Sequence, residues 1–143
     1  MSLSIGIVLF PLFVQIALTF VLGFWMAAQR GPAVRRGAVD GRTIALRERS
    51  WPPHMLQVGN AYQNQLEMPV LFYVLTILAL VTRQADLFFV VLAWIFVALR
   101  GLHAYVHVTD NRLGRRGASF GAAAVVLLLM WIQFAVRILL GPA

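Results

Sequence analysis

A row of polar side chains interrupts the start of a long apolar stretch of the chain. Gln57, Asn60, Asn64 and Glu67 follow one another at intervals of three, four and three residues. On a helix this spacing places all four side chains on one face. Because ionisable groups within a membrane are costly and rarely face lipid, a row that includes a carboxylate indicates a ligand site or a buried ion pair.

A second polar row begins at Arg100 and continues with His103 and His107, at intervals of three and four residues. The two rows lie on segments joined by a short turn near Gln84, which predicts antiparallel neighbouring helices. Counted from this turn at about 1.5 Å per residue, Glu67 and Arg100 fall at nearly the same depth. We therefore expect these two charges to pair, within one subunit or between subunits.

The two histidines are four residues apart, a spacing that on a helix can hold zinc. Glu67 is the one carboxylate placed to act as a third ligand, and the sequence contains no His-Glu-x-x-His motif. We therefore predict no metal site, and we expect His103 and His107 to form hydrogen bonds in the core or to contact a ligand. A metal or proton-relay site built on these three side chains is a third alternative to the two functions given below.

Four long apolar segments carry these side chains: about Leu3 to Ala28, Met55 to Val81, Leu87 to Val108 and Ala118 to Leu140. Each reaches the roughly 20 residues that a helix needs to cross a ~30 Å hydrocarbon core. The 143-residue chain is 61% hydrophobic and 12% charged, whereas a soluble domain has roughly 25% charged residues. The sequence predicts an all-α fold, a single four-helix bundle embedded in a membrane.

The distribution of arginine predicts the orientation in the membrane, since all twelve basic residues are arginine. Nine lie in two loops, residues 29–54 and 109–117, and Arg83 lies in the loop between them. The nine are Arg30, Arg35, Arg36, Arg42, Arg47, Arg49, Arg112, Arg115 and Arg116. Because positive loops stay on the cytoplasmic side, we expect the two basic loops in the cytoplasm and both termini on the other side. The expected partner of these arginines is anionic lipid and not nucleic acid.

Three motifs together resemble the MAPEG superfamily of membrane-associated proteins in eicosanoid and glutathione metabolism. They are NQLE followed by PVLFY (residues 64–73), WIFVALRGLHAYVH (residues 94–107) and RRGASFG (residues 115–121). The first motif resembles a bacterial branch of the superfamily, which implies a bacterial inner membrane. Together with the arginine count, this places both termini in the periplasm as an expectation. The resemblance also implies a homotrimer with a glutathione site between neighbouring subunits, on the cytoplasmic half of the membrane.

The resemblance assigns roles to individual residues of this site. Asn64 and Glu67 match an asparagine and a glutamate that contact glutathione, and Arg100 matches an arginine of the third helix. Arg30, at the end of the first helix, matches a basic residue that meets the tripeptide. These residues are therefore candidates for glutathione binding.

Arg116 matches the arginine that stabilises the glutathione thiolate, with Arg115 as the alternative register. A cation beside the sulfur lowers the pKa of the thiol, and the thiolate then attacks an electrophile that arrives from the lipid. The implied function is a glutathione- or other thiol-dependent transferase or peroxidase acting on lipophilic small molecules, with Arg116 as the catalytic residue. The chain has no cysteine, so the thiol must come from a substrate.

Two positions depart from the superfamily pattern. Asn60 stands where glutathione-using members have an arginine that holds a carboxylate of the tripeptide, and His107 stands where they usually have a tyrosine. Asn60, His103 and His107 nevertheless have groups that can hydrogen-bond a peptide, so we keep them as candidate binding residues. The missing arginine favours the alternative function, a non-catalytic membrane scaffold or a small accessory subunit of a larger membrane complex.

Overall fold

The structure, a computed structural model, describes residues 3–45 and 51–141. Its helices are α1 (Ile5–Arg35), α2 (Gly41–Ile44), α3 (Pro53–Gln63), α4 (Met68–Val81), α5 (Leu87–Val108) and α6 (Leu113–Leu140). The described residues contain no strand. Four stretches among them are long and apolar enough to cross a membrane, namely α1, α3 together with α4, α5, and α6. The predicted all-α architecture is confirmed for the described residues, and its four long apolar segments are helical and long enough to span a membrane.

The helices extend further into the basic end of the bundle than the apolar runs indicate. α1 continues to Arg35, well into the segment expected to be a loop. α6 begins at Leu113, ahead of the apolar run that starts at Ala118. Arg47 and Arg49, which the arginine count includes, lie outside the described residues.

The main apolar cluster lies in the half of the bundle that holds the beginnings of α1 and α5. α5 packs against α1, α3 and α6, and Phe96 of α5 lies with its ring centroid 4.8 Å from that of Phe72 of α4. The other buried members are Val8, Leu75, Ala79, Phe89, Val90, Leu92, Ala93, Val97, Ala123, Leu127 and Met130. Large apolar side chains also cover the outside, among them Phe10, Phe13, Phe24, Leu128 and Leu139. This continuous apolar exterior suits lipid as the solvent.

Asp86 ties the turn between α4 and α5 to the end of α6. Its Oδ1 accepts the backbone N–H of Phe89 at 2.8 Å, which caps the start of α5. Its Oδ2 accepts a hydrogen bond from Nη2 of Arg137 at 2.5 Å. Partial burial works to raise the pKa of Asp86, but the Phe89 N–H and the Arg137 guanidinium outweigh it and hold that pKa below its ordinary value.

We expect Asp86→Asn to lower the free energy of unfolding by less than about 1 kcal/mol, because solvent screens exposed ion pairs. The side chains of Arg137 and Asp86 are 36% and 40% exposed. Asparagine is also a good N-cap, so the loss reports the ion pair. Because the folded-state pKa is lowered, this stabilisation is present above the ordinary carboxyl pKa and disappears as the pH falls through the lowered value. Unfolding in detergent at neutral and acidic pH tests this. A difference between wild type and variant that does not shrink in acid would contradict it.

Candidate functional site

The first polar row lies where the second membrane-spanning stretch changes from α3 to α4. The apolar run from Met55 to Val81 predicts one continuous helix here, in which Pro69 either kinks the helix or is tolerated without a kink. The structure instead breaks the helix at residues 64–67. Pro69 lies in the first turn of α4, where a residue without a backbone N–H fits. The break leaves backbone carbonyls near the end of α3 that need other donors.

Two buried side chains satisfy these carbonyls. Nη2 of Arg100 donates to the carbonyl oxygen of Asn64 at 2.8 Å, and Nε2 of Gln65 donates to the carbonyl oxygen of Ala61 at 3.2 Å. Arg100 and Gln65 are both 0% exposed. A cation at the carboxyl end of a helix is also favoured by the helix dipole. Arg100 therefore closes the end of α3.

This position of Arg100 differs from the expected pairing with Glu67. Within residues 3–45 and 51–141, no salt bridge of 4.0 Å or less joins the two side chains, although their charges still attract one another. The physical reason is the helix break, because it frees the Asn64 carbonyl as a nearer acceptor. Glu67 is exposed, so its carboxylate is accessible to a ligand.

A cleft of about 420 Å³ opens between the end of α3, α5 and the beginning of α6. Its lining consists of Asn60, Gln63, Asn64, Glu67, His103, His107, Leu113, Arg116, Gly117 and Phe120. The cleft brings together six of the predicted site residues, which are Asn60, Asn64, Glu67, His103, His107 and Arg116. Its volume lies within the roughly 300–1,000 Å³ typical of small-molecule sites.

Arg100 and Arg30 do not line this cleft. The guanidinium carbon of Arg30 lies 4.8 Å from the centroid of the buried Trp51 ring, a cation–π contact. Arg30 also lies directly against Gly59, where the Cβ of any other residue would collide with its guanidinium. Gly59 therefore provides the space in which Arg30 packs between α1 and α3.

The two histidines line the cleft in defined tautomers. Nδ1 of His103 lies 3.0 Å from the carbonyl oxygen of Arg116, and because a carbonyl only accepts, this nitrogen carries the proton. Nε2 of His107 lies 3.4 Å from Nη1 of Arg116, which only donates, so this nitrogen accepts. The other ring nitrogens are buried and lack a hydrogen-bond partner in the described part of the chain. Buried polar groups without a hydrogen-bond partner destabilise the interior.

Arg116 is the cation of the cleft. Its Nη1 donates to Oδ1 of Asn111 at 2.7 Å in addition to its contact with His107. Arg115 is turned away, since its side chain is 66% exposed and its Nη1 lies 3.2 Å from Oδ2 of Asp110. Of the two registers that the family resemblance allows, the structure brings Arg116 into the cleft and leaves Arg115 outside it.

Sequence reasoning missed Gln63 and Asn111. Gln63 lies three residues after Asn60 and four before Glu67, so helical spacing alone could have found it. Asn111 lies in the turn between α5 and α6 with φ 49°, and its contact depends on turn geometry that no spacing rule supplies. Gln57, which belongs to the predicted row, does not line the cleft.

Comparison with known proteins agrees with the geometry. The sequence matches the MAPEG family model over residues 8–136, which is most of the chain and includes every residue that lines the cleft. A search of curated proteins found no match, and neither did a search of solved structures. The family match confirms the resemblance drawn from the motifs, and the four apolar helices agree with it. The chain is an integral membrane protein that belongs to the MAPEG family.

Proposed function

We propose that this protein is a glutathione- or thiol-dependent transferase or peroxidase that acts on lipophilic electrophiles. Members of the MAPEG family are glutathione-related transferases or peroxidases, or accessory proteins. The observation that carries the proposal is the cleft itself. It combines the cation of Arg116, the carboxylate of Glu67 and three amides on the surface of a membrane-embedded bundle.

The side chains of the cleft complement most groups of glutathione. The carboxylate of Glu67 can accept hydrogen bonds from the ammonium group, and the amides of Asn60, Gln63 and Asn64 can pair with the peptide groups. Arg116 can hold the ionised sulfur. The match is weaker for the two glutathione carboxylates, which find amides and imidazoles in this wall and no second arginine.

Thiol transfer to a lipophilic electrophile requires a cation near the sulfur and an apolar path for the electrophile. Arg116 stabilises the negative charge that develops on the sulfur as the thiol proton leaves to solvent. Transfer then forms the bond from this sulfur to the electrophilic carbon, and the leaving group departs with the electron pair of its own bond. Leu113 and Phe120 form an apolar part of the wall, where a lipophilic electrophile can approach from the bilayer.

Calorimetric titration of the detergent-purified protein with glutathione tests the proposal. We expect saturable binding that Glu67→Gln weakens by about tenfold or more, because the ion pair with the ammonium group becomes a hydrogen bond to an uncharged amide oxygen. Asp40→Asn is the matched control, since it removes a carboxylate from the exposed N-cap of α2, away from the cleft. The proposal fails if the wild-type protein shows no heat of binding at millimolar glutathione.

The alternative is a non-catalytic scaffold or an accessory subunit of a larger membrane complex. Two observations favour it. Asn60 is uncharged, and Arg100 is committed to the Asn64 carbonyl instead of the cleft wall. This function would lead if the wild-type protein bound no glutathione and Arg100→Leu merely lowered stability. Stoichiometric copurification with another membrane protein would support it.

The same proposal extends to assembly and orientation. We propose a homotrimer in a bacterial inner membrane, with the basic loops in the cytoplasm and both termini in the periplasm. MAPEG proteins are often trimers, which supports the assembly. The orientation is supported by the concentration of arginine at one end of the bundle. The described residues of the other end hold Arg83 and Arg137, and Arg137 is neutralised by Asp86.

A further inference from the structure

We propose that Asn111 is a positioning residue that holds Arg116 in the cleft as an uncompensated cation, while Arg115 pairs with Asp110 and faces outward. The inference rests on the proposed function. It adds a residue outside the cleft lining, because Asn111 acts through Arg116 and not through contact with a ligand.

The backbone around Asn111 fixes its side chain. The residue lies in the turn between α5 and α6 with a left-handed φ of 49°. Its backbone N–H donates to the carbonyl of Val106 at 2.8 Å, which anchors the turn to the last turn of α5. Asparagine adopts this conformation more readily than most residues that have a side chain. The amide oxygen accepts a hydrogen bond from Nη1 of Arg116 at 2.7 Å, and the restrained backbone holds this acceptor in position.

Both acceptors that hold Arg116 are neutral. Besides Asn111, the acceptor is Nε2 of His107 at 3.4 Å, whereas His103 contacts the backbone carbonyl of Arg116 and not its guanidinium. Over the described ranges, no carboxylate lies within 4.0 Å of the Arg116 guanidinium. Across the cleft, Glu67 is the one carboxylate in the lining. Arg116 is thus oriented without being neutralised.

The neighbouring arginines show the opposite arrangement. Nη1 of Arg115 lies 3.2 Å from Oδ2 of Asp110, and Nε of Arg112 lies 3.7 Å from the same oxygen. Both arginine side chains are largely exposed, at 66% and 70%. One carboxylate therefore compensates two arginines that face outward. The adjacent amide of Asn111 serves the one arginine that faces the cleft.

The Asn111→Asp variant tests the role of the neutral amide. It places a carboxylate where the amide stands, and an opposite charge this close should cancel much of the field of Arg116. We expect the pKa of bound glutathione thiol to rise by about one or more, which leaves about tenfold less thiolate at a pH below it. The ultraviolet absorbance of the thiolate, followed across pH, measures this. The titratable groups that face Arg116, namely His103, His107 and Glu67, are unchanged in the variant.

Asp110→Asn is the matched control, one residue away and with the opposite change of charge. It frees Arg115 from its carboxylate, so it should leave the pKa of the bound thiol unchanged if Arg116 is the relevant cation. A pKa that falls in Asp110→Asn and stays constant in Asn111→Asp would assign the role to Arg115 and overturn the proposal. So would a pKa that neither variant changes.

A second readout needs no thiol. Hydrogen bonds at Nη1 slow the rotation of that group, which nitrogen NMR of arginine side chains detects. Asn111→Gly keeps the left-handed turn and removes the acceptor, so Arg116 should rotate faster while Arg115 does not change. Unchanged rotation of Arg116 would overturn the positioning role. If the wild-type protein binds no glutathione, the proposed function fails, and the rotation measurement still decides the role of Asn111.

Discussion

Replacing Arg116 by leucine should lower kcat/KM for glutathione transfer to an activated aryl halide by about 100-fold or more. A loss of this size is typical when an enzyme loses one preorganised group that stabilises negative charge in the transition state. Arg116 is the one cation in the cleft wall formed by the described residues. Its loss leaves the charge that develops on sulfur without a fixed partner. Binding of glutathione should weaken less than turnover, because the contacts to Glu67 and to the amides remain. Initial rates and calorimetry on the same preparation separate the two effects.

Arg115→Leu is the control, since it removes the same charge from the adjacent residue. The Arg115 side chain is exposed and paired with Asp110, so we expect kcat/KM to change by no more than about threefold. Equal losses in the two variants would mean that the general positive charge of this surface matters and that no positioned cation exists. A larger loss in Arg115→Leu would show that the other register is correct.

The membrane architecture can be read from the sequence because its signal is summed over long segments. A run of about twenty apolar residues predicts a membrane-spanning helix, because a helix satisfies its backbone hydrogen bonds internally in lipid. Single polar residues such as Gln15 do not change this prediction. Helix ends carry no such averaged signal. The extension of α1 to Arg35 and the start of α6 at Leu113 fall among arginines and glycines, which occur in helices and in loops.

The residues of the cleft can also be found from the sequence, but their connections cannot. Helical spacing collects Asn60, Asn64 and Glu67 because they stay on one side of the chain even where the helix breaks. Counting depth along straight helices assigns Arg100 to Glu67. The break at residues 64–67 redirects Arg100 to a carbonyl, and proline at position 69 is compatible with a bend as well as with a break.

The choice between Arg115 and Arg116 shows a second limit. Adjacent residues of a helix point in directions about 100° apart, so the motif alone cannot say which one faces the cleft. That choice depends on the turn before α6, where Asn111 adopts a left-handed backbone. A turn of so few residues carries too little sequence signal to fix its geometry in advance.

Gln65→Leu should lower the free energy of unfolding by about 2 kcal/mol, because it leaves two buried groups without hydrogen bonds. Oε1 of Gln65 accepts from Nε2 of Gln15 at 2.9 Å, and Nε2 of Gln65 donates to the carbonyl of Ala61 at 3.2 Å. Both glutamines are 0% exposed, so water cannot replace the lost partners. Unfolding of the detergent-solubilised protein, followed by tryptophan fluorescence, measures the loss.

A double-mutant cycle with Gln15→Leu isolates the interaction between the two glutamines. When both partners become apolar, neither side chain leaves the other unsatisfied. The double variant should therefore lose about 1 kcal/mol less free energy of unfolding than the sum of the two single losses. Strictly additive losses would mean that the loss in Gln65→Leu comes from its hydrogen bond to the Ala61 carbonyl and not from Gln15. The cycle bears on the cleft as well as on the bundle, because Gln15 links α1 to the same break that frees the Asn64 carbonyl for Arg100. If the coupling is present, the packing of α1 holds the break in place, and the position of Asn64 and Glu67 in the cleft depends on an interaction that no ligand touches.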